Sequence, residues 1–178
     1  MTSSPTNILI LCTANSARSI LGEALIQRLG KGRFQAHSAG SQPRGIPNPA
    51  GLKLLESLGY DVSGFRSKSW DEFAGADAPR MDIVITVCDS AAGESCPLWP
   101  GAPVKAHWGI PDPAGKGETE EAQLAAFREA YDLLEARVAA LAALPVETMT
   151  AGDLSAALAR IGAMDGATAM AQSRAAEA

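Results

Sequence analysis

Cys12 is followed by a segment whose residue types can hold and attack an oxyanion. The segment comprises Thr13, Ala14, Asn15, Ser16, Ala17, Arg18 and Ser19, and it separates an apolar run from an amphipathic one. A turn from a strand into a helix points consecutive backbone N–H groups at one place, where the helix dipole adds positive potential. Arg18 can donate two parallel hydrogen bonds to the same anion, which a lysine cannot do. The segment therefore predicts a cradle for a tetrahedral oxyanion, with Cys12 as the nucleophile.

The same groups predict a thiolate at Cys12. Backbone amides, the helix dipole and the Arg18 guanidinium all favour the charged form, so we expect a thiol pKa well below the ~8.5 of a free cysteine. Ser16 and Ser19 add hydroxyls that can donate to the sulfur or to a leaving thiolate. The alternative is a buried thiol at the end of a strand, beside a solvated arginine at the start of a helix.

Asp112 lies between Pro111 and Pro113 and is the candidate general acid. Because proline fixes its own backbone, the aspartate is held on a stiff loop from which it can protonate a leaving oxygen. A turn aspartate without catalytic duty fits the same residues. Spacing alone does not separate these two interpretations.

Cys88 and Cys96 form a second thiol pair, separated by seven residues. Cys88 ends a β-branched run, so it is expected at the same sheet edge as Cys12. The segment between the two cysteines is small and polar, and a disulfide forms only when the Cα atoms come within about 7 Å. A shared redox role therefore requires this segment to rearrange, and two unrelated thiols are the alternative.

Apolar periodicity predicts the elements that position these residues. Strands are predicted over residues 7–11, 34–38, 82–88 and 104–108, and helices over 19–29, 49–59, 70–73, 118–144 and 153–164. Asn48 is the expected N-cap of the second helix and Pro49 its first residue. Strands that alternate with helices predict an α/β fold, with right-handed crossovers and helices on both faces of a parallel sheet.

The composition is that of a single acidic globular domain. The chain has 178 residues, 47% of them hydrophobic, and a formal net charge of −5. No apolar run approaches the ~20 residues of a membrane helix, and no basic stretch precedes an apolar one at the N-terminus, so a cytoplasmic protein is expected. Acidity argues against nucleic acid as a partner. An odd set of three cysteines does not resemble a secreted disulfide framework.

The composition changes after Pro145. Residues 1–145 are predicted as the functional domain, and residues 146–178 as an Ala-rich, partly helical extension whose last dozen residues are frayed or disordered.

Four separated signatures together resemble the arsenate reductases built on the low molecular weight tyrosine phosphatase fold. They are residues 10–19, 37–40, 87–88 with 96–97, and 107–109 with 112–115. The resemblance extends from about Asn7 to Leu144. It implies three layers, α/β/α, around a mostly parallel four-stranded sheet, and a cytoplasmic enzyme that reduces arsenate with electrons from thioredoxin and without metal or organic cofactor. A monomer is expected.

The resemblance also implies the role of each site residue. Cys12 attacks arsenate that is held by the loop amides and Arg18, while Asp112 protonates the departing oxygen. Cys88 then attacks the Cys12 adduct and releases arsenite. Cys96 attacks the Cys88 sulfur, so that the disulfide moves to the Cys88–Cys96 pair. Thioredoxin then reduces this pair by thiol exchange.

This chain departs from the family pattern at two positions and in one loop length. Ala14 stands where glycine is usual, and we expect a tolerable effect. Some relatives hold potassium with an Asn, a Glu, a Ser and an Asp; Asn15, Glu23 and Ser38 match, but Lys68 stands in place of the Asp. We expect its ammonium to replace the ion, which makes activity insensitive to potassium. The Cys88–Cys96 segment is one residue longer than expected.

Two other functions use the same residues. A low molecular weight tyrosine phosphatase would hydrolyse small phosphomonoesters through a phosphocysteine at Cys12, but Ala114, Gly115 and Lys116 follow the Asp-Pro pair where aromatic residues would sandwich a substrate ring. It would also leave Cys88 and Cys96 without a role. A non-catalytic arsenite or oxyanion sensor would use the three thiols as ligands and would need neither Arg18 nor Asp112.

Overall fold

The chain folds around a parallel four-stranded sheet. The computed structural model describes residues 3–95 and 97–178, so Cys96 lies outside the described residues. The strands are β1 (Thr6–Cys12), β2 (Phe34–Gly40), β3 (Ile83–Thr86) and β4 (Val104–His107), in the order β2-β1-β3-β4. All three pairings are parallel, which confirms the predicted fold class.

Six α-helices connect and follow these strands in the described part of the chain. They are α1 (Arg18–Leu29), α2 (Pro49–Ser57), α3 (Asp89–Gly93), α4 (Glu120–Ala142), α5 (Ala151–Gly162) and α6 (Ala169–Ala176), with single 3₁₀ turns at Trp70–Phe73 and Val146–Thr148. The predicted N-cap is confirmed, since the Asn48 side chain accepts from the Ala50 N–H at 2.9 Å. α3 was not predicted, because five residues are too few for a periodic pattern.

The sheet has a core on each face, and β1 contributes to both. Ile8 and Ile10 face a large cluster formed with α1 and α4, whereas Leu9 and Leu11 face a smaller one. The other buried members of the smaller cluster are Ala39, Phe73, Met81, Val84 and Trp99. Alternate residues of a strand point to opposite faces, so a strand buried on both sides is apolar throughout.

The extension after Pro145 packs on the sheet domain. Trp108 Nε1 donates to the Leu158 carbonyl of α5 at 2.9 Å. Arg137, fully buried on α4, donates to the carbonyls of Met164 and Asp165 at 2.9 and 3.2 Å. The prediction of a frayed C-terminal dozen was wrong: α6 is a helix whose N-cap is Thr168, and alanine is the strongest helix former.

Within the part of the chain that the structure describes, no helix combines the length and the hydropathy needed to cross a membrane.

Candidate active site

Cys12 and Cys88 lie at the same edge of the sheet, as predicted. Cys12 is the last residue of β1, and Cys88 follows β3, whose Thr86 pairs with Leu11. Both thiols are buried and neither is in a disulfide. In an open parallel sheet this carboxyl edge is where ligands bind.

The loop between Cys12 and α1 is held by its carbonyl groups. Those of Thr13, Ala14 and Ser16 accept from the backbone N–H groups of Gln42, Arg44 and Asn48, at 2.9, 3.1 and 2.8 Å. In a planar trans peptide the following N–H points the opposite way from the carbonyl. The N–H groups of Ala14, Asn15 and Ala17 are therefore directed away from the 42–48 connection, and that of Asn15 bonds to Cys12. The predicted oxyanion cradle requires amides placed in this way.

Asn15 carries the strained backbone of this loop. Its φ is +45°, a left-handed conformation that asparagine tolerates better than most residues. Its side-chain amide donates to Ser19 Oγ at 2.8 Å and to Ser38 Oγ at 3.0 Å, and its oxygen accepts from the Lys68 N–H at 2.9 Å. Ala14 has no positive φ, so its Cβ meets no backbone penalty.

Gly40 explains one signature that had no assigned role. A Cβ at this position would lie 2.8 Å from the Cys12 carbonyl oxygen and 2.9 Å from the Asn15 nitrogen, and would press on the Thr13 carbonyl oxygen. Only glycine allows β2 to pass this close to the loop. Residues 37–40 form one of the four signatures, but a single sequence carries no signal for a close approach between distant segments.

Cys12 receives three hydrogen bonds yet does not have a lowered pKa. Its sulfur lies 2.9 Å from Ser19 Oγ, and the backbone N–H groups of Asn15 and Ser19 also bond to it. These bonds lower the pKa, but burial raises it by more, and the nearby Cys88 adds to the rise. The expected depression was wrong, because local residue types do not reveal how deeply the thiol is buried.

Arg18 and Asp112 are brought together. Arg18 Nη2 lies 3.5 Å from Asp112 Oδ2, and Nη1 donates to the Ile110 carbonyl at 2.9 Å. The aspartate is half-exposed and its other oxygen accepts from the Ala114 N–H at 3.0 Å. It is thus both a turn residue and a carboxyl group at the mouth of the cradle.

Cys88 is held close to the loop. Its sulfur lies 3.7 Å from Thr13 Oγ1 and accepts from the Ala91 N–H at 3.4 Å, which caps α3. Thr13 Oγ1 also donates to Glu94 at 3.2 Å.

The hydroxyls of Ser16 and Ser19 were both expected at the Cys12 sulfur. Of these two, the Ser19 hydroxyl is in contact with it.

Lys68 and Glu23 lie behind the loop. Lys68 Nζ is 3.9 Å from Glu23 Oε1, and Ser38 Oγ donates to the same oxygen at 3.3 Å. Burial raises the pKa of Glu23 and lowers that of Lys68, and each partly offsets the shift of the other. Among residues 3–95 and 97–178, no three His, Cys, Asp or Glu side chains are placed to hold a metal ion.

A buried thiol and an arginine around one amide-lined loop, at the edge of a parallel sheet, define the class of cysteine-dependent phosphatase-like proteins. The chain belongs to the low molecular weight phosphotyrosine protein phosphatase family. The family model matches residues 7–151. Nearly all of α5 and the whole of α6 lie beyond the matched residues.

Similar members of this family are arsenate reductases, which confirms the predicted resemblance. The arsenate reductase of Halalkalibacterium halodurans is 33% identical over 131 residues, which are 74% of this chain and 91% of that protein. The crystal structure of the Archaeoglobus fulgidus enzyme has a TM-score of 0.61 at 28% identity and covers 77% of this chain and 99% of its own. An arsenate reductase in a phosphate-binding state has a TM-score of 0.63 at 27% identity, over 78% of this chain and 97% of its own.

Proposed function

We propose that this protein reduces arsenate to arsenite with three cysteine thiols, in arsenic detoxification. The observation that carries the proposal is the juxtaposition of buried Cys12 and Cys88 at one sheet edge, since hydrolysis of a phosphate ester needs only the first. Family membership and the similar arsenate reductases support the same reaction.

The first step joins the substrate to Cys12. The N–H groups of residues 13–17 and the Arg18 guanidinium bind the arsenate oxygens, and the thiolate attacks arsenic. A sulfur–arsenic bond forms as an arsenic–oxygen bond breaks, and Asp112 supplies the proton with which the oxygen leaves as water. Ser19 stabilises the thiolate through its hydroxyl.

The second step transfers the electrons. The Cys88 thiolate attacks the Cys12 sulfur, a disulfide forms, and the sulfur–arsenic bond breaks with its electron pair left on arsenic. Arsenic(V) becomes arsenic(III), and the two thiols are oxidised together. Cys96 then attacks the Cys88 sulfur, which frees Cys12 and leaves a Cys88–Cys96 disulfide.

A protein dithiol of the thioredoxin type completes the cycle by reducing that disulfide. The reaction needs reduced thiols at rest, so the proposed location is the cytoplasm. The proposed form is a monomer that acts on a free oxyanion, without a metal, an organic cofactor, nucleic acid or a membrane.

Weak hydrolysis of small phosphomonoesters is proposed as a side activity. Arg18 and Asp112 lie together over the same loop as Cys12, and these three groups suffice for attack on phosphorus and protonation of the leaving oxygen. Membership of a family of phosphotyrosine protein phosphatases supports this second activity.

The test is arsenate-dependent NADPH consumption with thioredoxin and thioredoxin reductase. Cys12→Ser, Cys88→Ser and Cys96→Ser are each expected to abolish turnover, while Ser90→Ala, an exposed change on α3, retains it. Full turnover in the Cys88→Ser and Cys96→Ser proteins would overturn the thiol relay and favour the phosphatase.

A further inference from the structure

Asp89, the first residue of α3, joins this helix to the C-terminal extension. Its Oδ1 accepts from His107 Nε2 at 2.7 Å and from Thr168 Oγ1 at 2.8 Å. His107 is fixed in turn by Thr86 Oγ1, which lies 2.8 Å from Nδ1. Thr168 is the N-cap of α6, so one carboxylate oxygen connects α3, β4 and α6.

Gly109 makes room for this convergence. A Cβ on Gly109 would lie 2.5 Å from Asp89 Oδ1 and 2.6 Å from His107 Nε2, and it would also collide with Thr168 Oγ1. The Gly109 carbonyl accepts from the Thr168 N–H at 3.0 Å. The three polar atoms thus occupy the space that any other residue would fill with its side chain.

A second bond ties the other end of α3 to α6. Arg174 Nη2 donates to the Ala92 carbonyl at 3.1 Å. α6 therefore holds α3 at its first residue through Thr168 and in its last turn through Arg174. Both residues lie beyond the part of the chain that matches the family.

α3 determines where the Cys88 sulfur lies. The Ala91 N–H donates to that sulfur, and the Ala92 N–H donates to the Cys88 carbonyl at 3.2 Å. With α3 in place, Cys88 is 3% exposed and faces the loop that carries Cys12. A dithiol protein in solution cannot reach a sulfur that is this deeply covered.

We propose that Thr168 and Arg174 are positioning residues that hold α3 closed, and that they keep Cys88 directed at Cys12 until arsenite has left. The inference rests on the proposed function, in which Cys88 is first the attacking thiol inside the site and later shares with Cys96 the disulfide that the outer dithiol reduces. In the first of these steps the Cys88–Cys12 disulfide forms as the sulfur–arsenic bond breaks. α3 must then open before the Cys88–Cys96 disulfide becomes accessible to the outer reductant, and the α6 contacts set the cost of that opening.

The test uses the full chain with Thr168→Val and Arg174→Ala. Matched controls are Thr150→Val, which removes the N-cap of α5, and Arg160→Ala, an exposed arginine in the last turn of α5. Thr168→Ser keeps the hydroxyl and is expected to behave as wild type. Should Thr168→Val fail to fold, Arg174→Ala alone decides the outcome.

Three readouts are expected to change together. Hydrogen exchange of the Ala91 and Ala92 amides, and alkylation of Cys88 by iodoacetamide in a Cys12→Ser, Cys96→Ser background, become about five- to tenfold faster, since each lost bond held α3 closed. Arsenite formed in a single turnover without reductant appears more slowly by a similar factor. Hydrolysis of p-nitrophenyl phosphate, where the wild type shows it, does not change, because Cys12 and Arg18 are untouched.

The two failures are distinguishable. If the wild type forms no arsenite, the proposed function fails, while exchange and alkylation still report on the contacts between α6 and α3. If the wild type forms arsenite, and Thr168→Val and Arg174→Ala match their controls in exchange and alkylation, the positioning role is overturned.

Discussion

The Cys12 sulfur lies 2.9 Å from Ser19 Oγ, and the same hydroxyl oxygen accepts from Asn15 Nδ2 at 2.8 Å. Because the oxygen already accepts a hydrogen bond from the amide, the hydroxyl's own hydrogen is left to point at the sulfur. Asn15 therefore orients Ser19 as a donor to Cys12. A bond of this kind favours the thiolate and opposes the effect of burial.

Ser19→Ala is expected to slow alkylation of Cys12 at pH 7 by about tenfold or more, since a hydrogen bond to a charged group contributes ~1.5–3 kcal/mol. Burial raises the pKa of Cys12, so the thiolate is the minor form at neutral pH. The rate in the wild type should therefore still be rising with pH at ~8.5, the usual pKa of a free cysteine. Iodoacetamide modification of Cys12 in a Cys88→Ser, Cys96→Ser background measures both effects.

Ser16→Ala is the control for that experiment, because Ser16 is a buried neighbour whose carbonyl holds the loop. Its backbone bond survives the change, so a small effect is expected. A wild-type rate that is already constant above pH 7 would show that the thiolate is the resting form.

Asp112→Asn is expected to lower kcat for arsenate by about 10²-fold, because proton donation by a positioned side chain contributes that order of rate enhancement. The amide keeps an oxygen for the Ala114 N–H, so the turn is preserved. Steady-state kinetics with the thioredoxin system measure the loss. Asp132→Asn, in an exposed pair with Arg128 on α4, should leave kcat unchanged. Equal rates in the two variants would remove Asp112 from the proposed mechanism.

Gly40→Ala is expected to destabilise the fold by about 1–3 kcal/mol, the usual cost of an added methyl group in a tightly packed site. The new Cβ would press on the carbonyls of Thr13 and Cys12. Urea unfolding measures the difference in free energy. Gly75→Ala is the matched control, since nothing lies within 4 Å of its Cβ position. Similar midpoints for the two variants would mean that β2 does not constrain the loop.

Turnover is expected to be the same in potassium and sodium chloride, because the buried Lys68 ammonium lies beside Glu23. Lys68→Asp removes this cation and restores the acidic residue of the potassium-binding pattern. That variant should gain activity when potassium replaces sodium, as measured by initial rates at constant ionic strength. Lys53→Asp, which breaks an exposed pair with Glu120, serves as the control. Stimulation of the wild type by potassium would contradict the replacement of the ion by Lys68.

The sheet and the main helices were predictable because their signals are local. The apolar run over residues 8–11 marks a strand buried on both faces, and Asn48 followed by Pro49 marks a helix start. The thiol and the arginine around the loop were found for the same reason, since they lie six residues apart.

What could not be predicted depends on contacts between distant segments. The raised pKa of Cys12 comes from burial by the whole domain, and the need for glycine at position 40 comes from a loop nearly thirty residues earlier. The sequence does not predict α6, because an alanine-rich composition suits both a helix and a disordered tail. Its bonds from Thr168 to Asp89 and from Arg174 to Ala92 are visible only in the folded chain.

The hydrogen bonds that hold the carbonyls of Thr13, Ala14 and Ser16 also affect the selectivity of the site for its substrate over a common competitor. A cradle of fixed amides responds to negative charge and tetrahedral shape, and phosphate and arsenate share both. Selectivity in binding is therefore expected to be poor, and abundant phosphate should occupy the site much of the time. Discrimination then falls to the later chemistry, because thiols reduce arsenic(V) but not phosphorus(V), so only the arsenic adduct gives Cys88 a productive reaction.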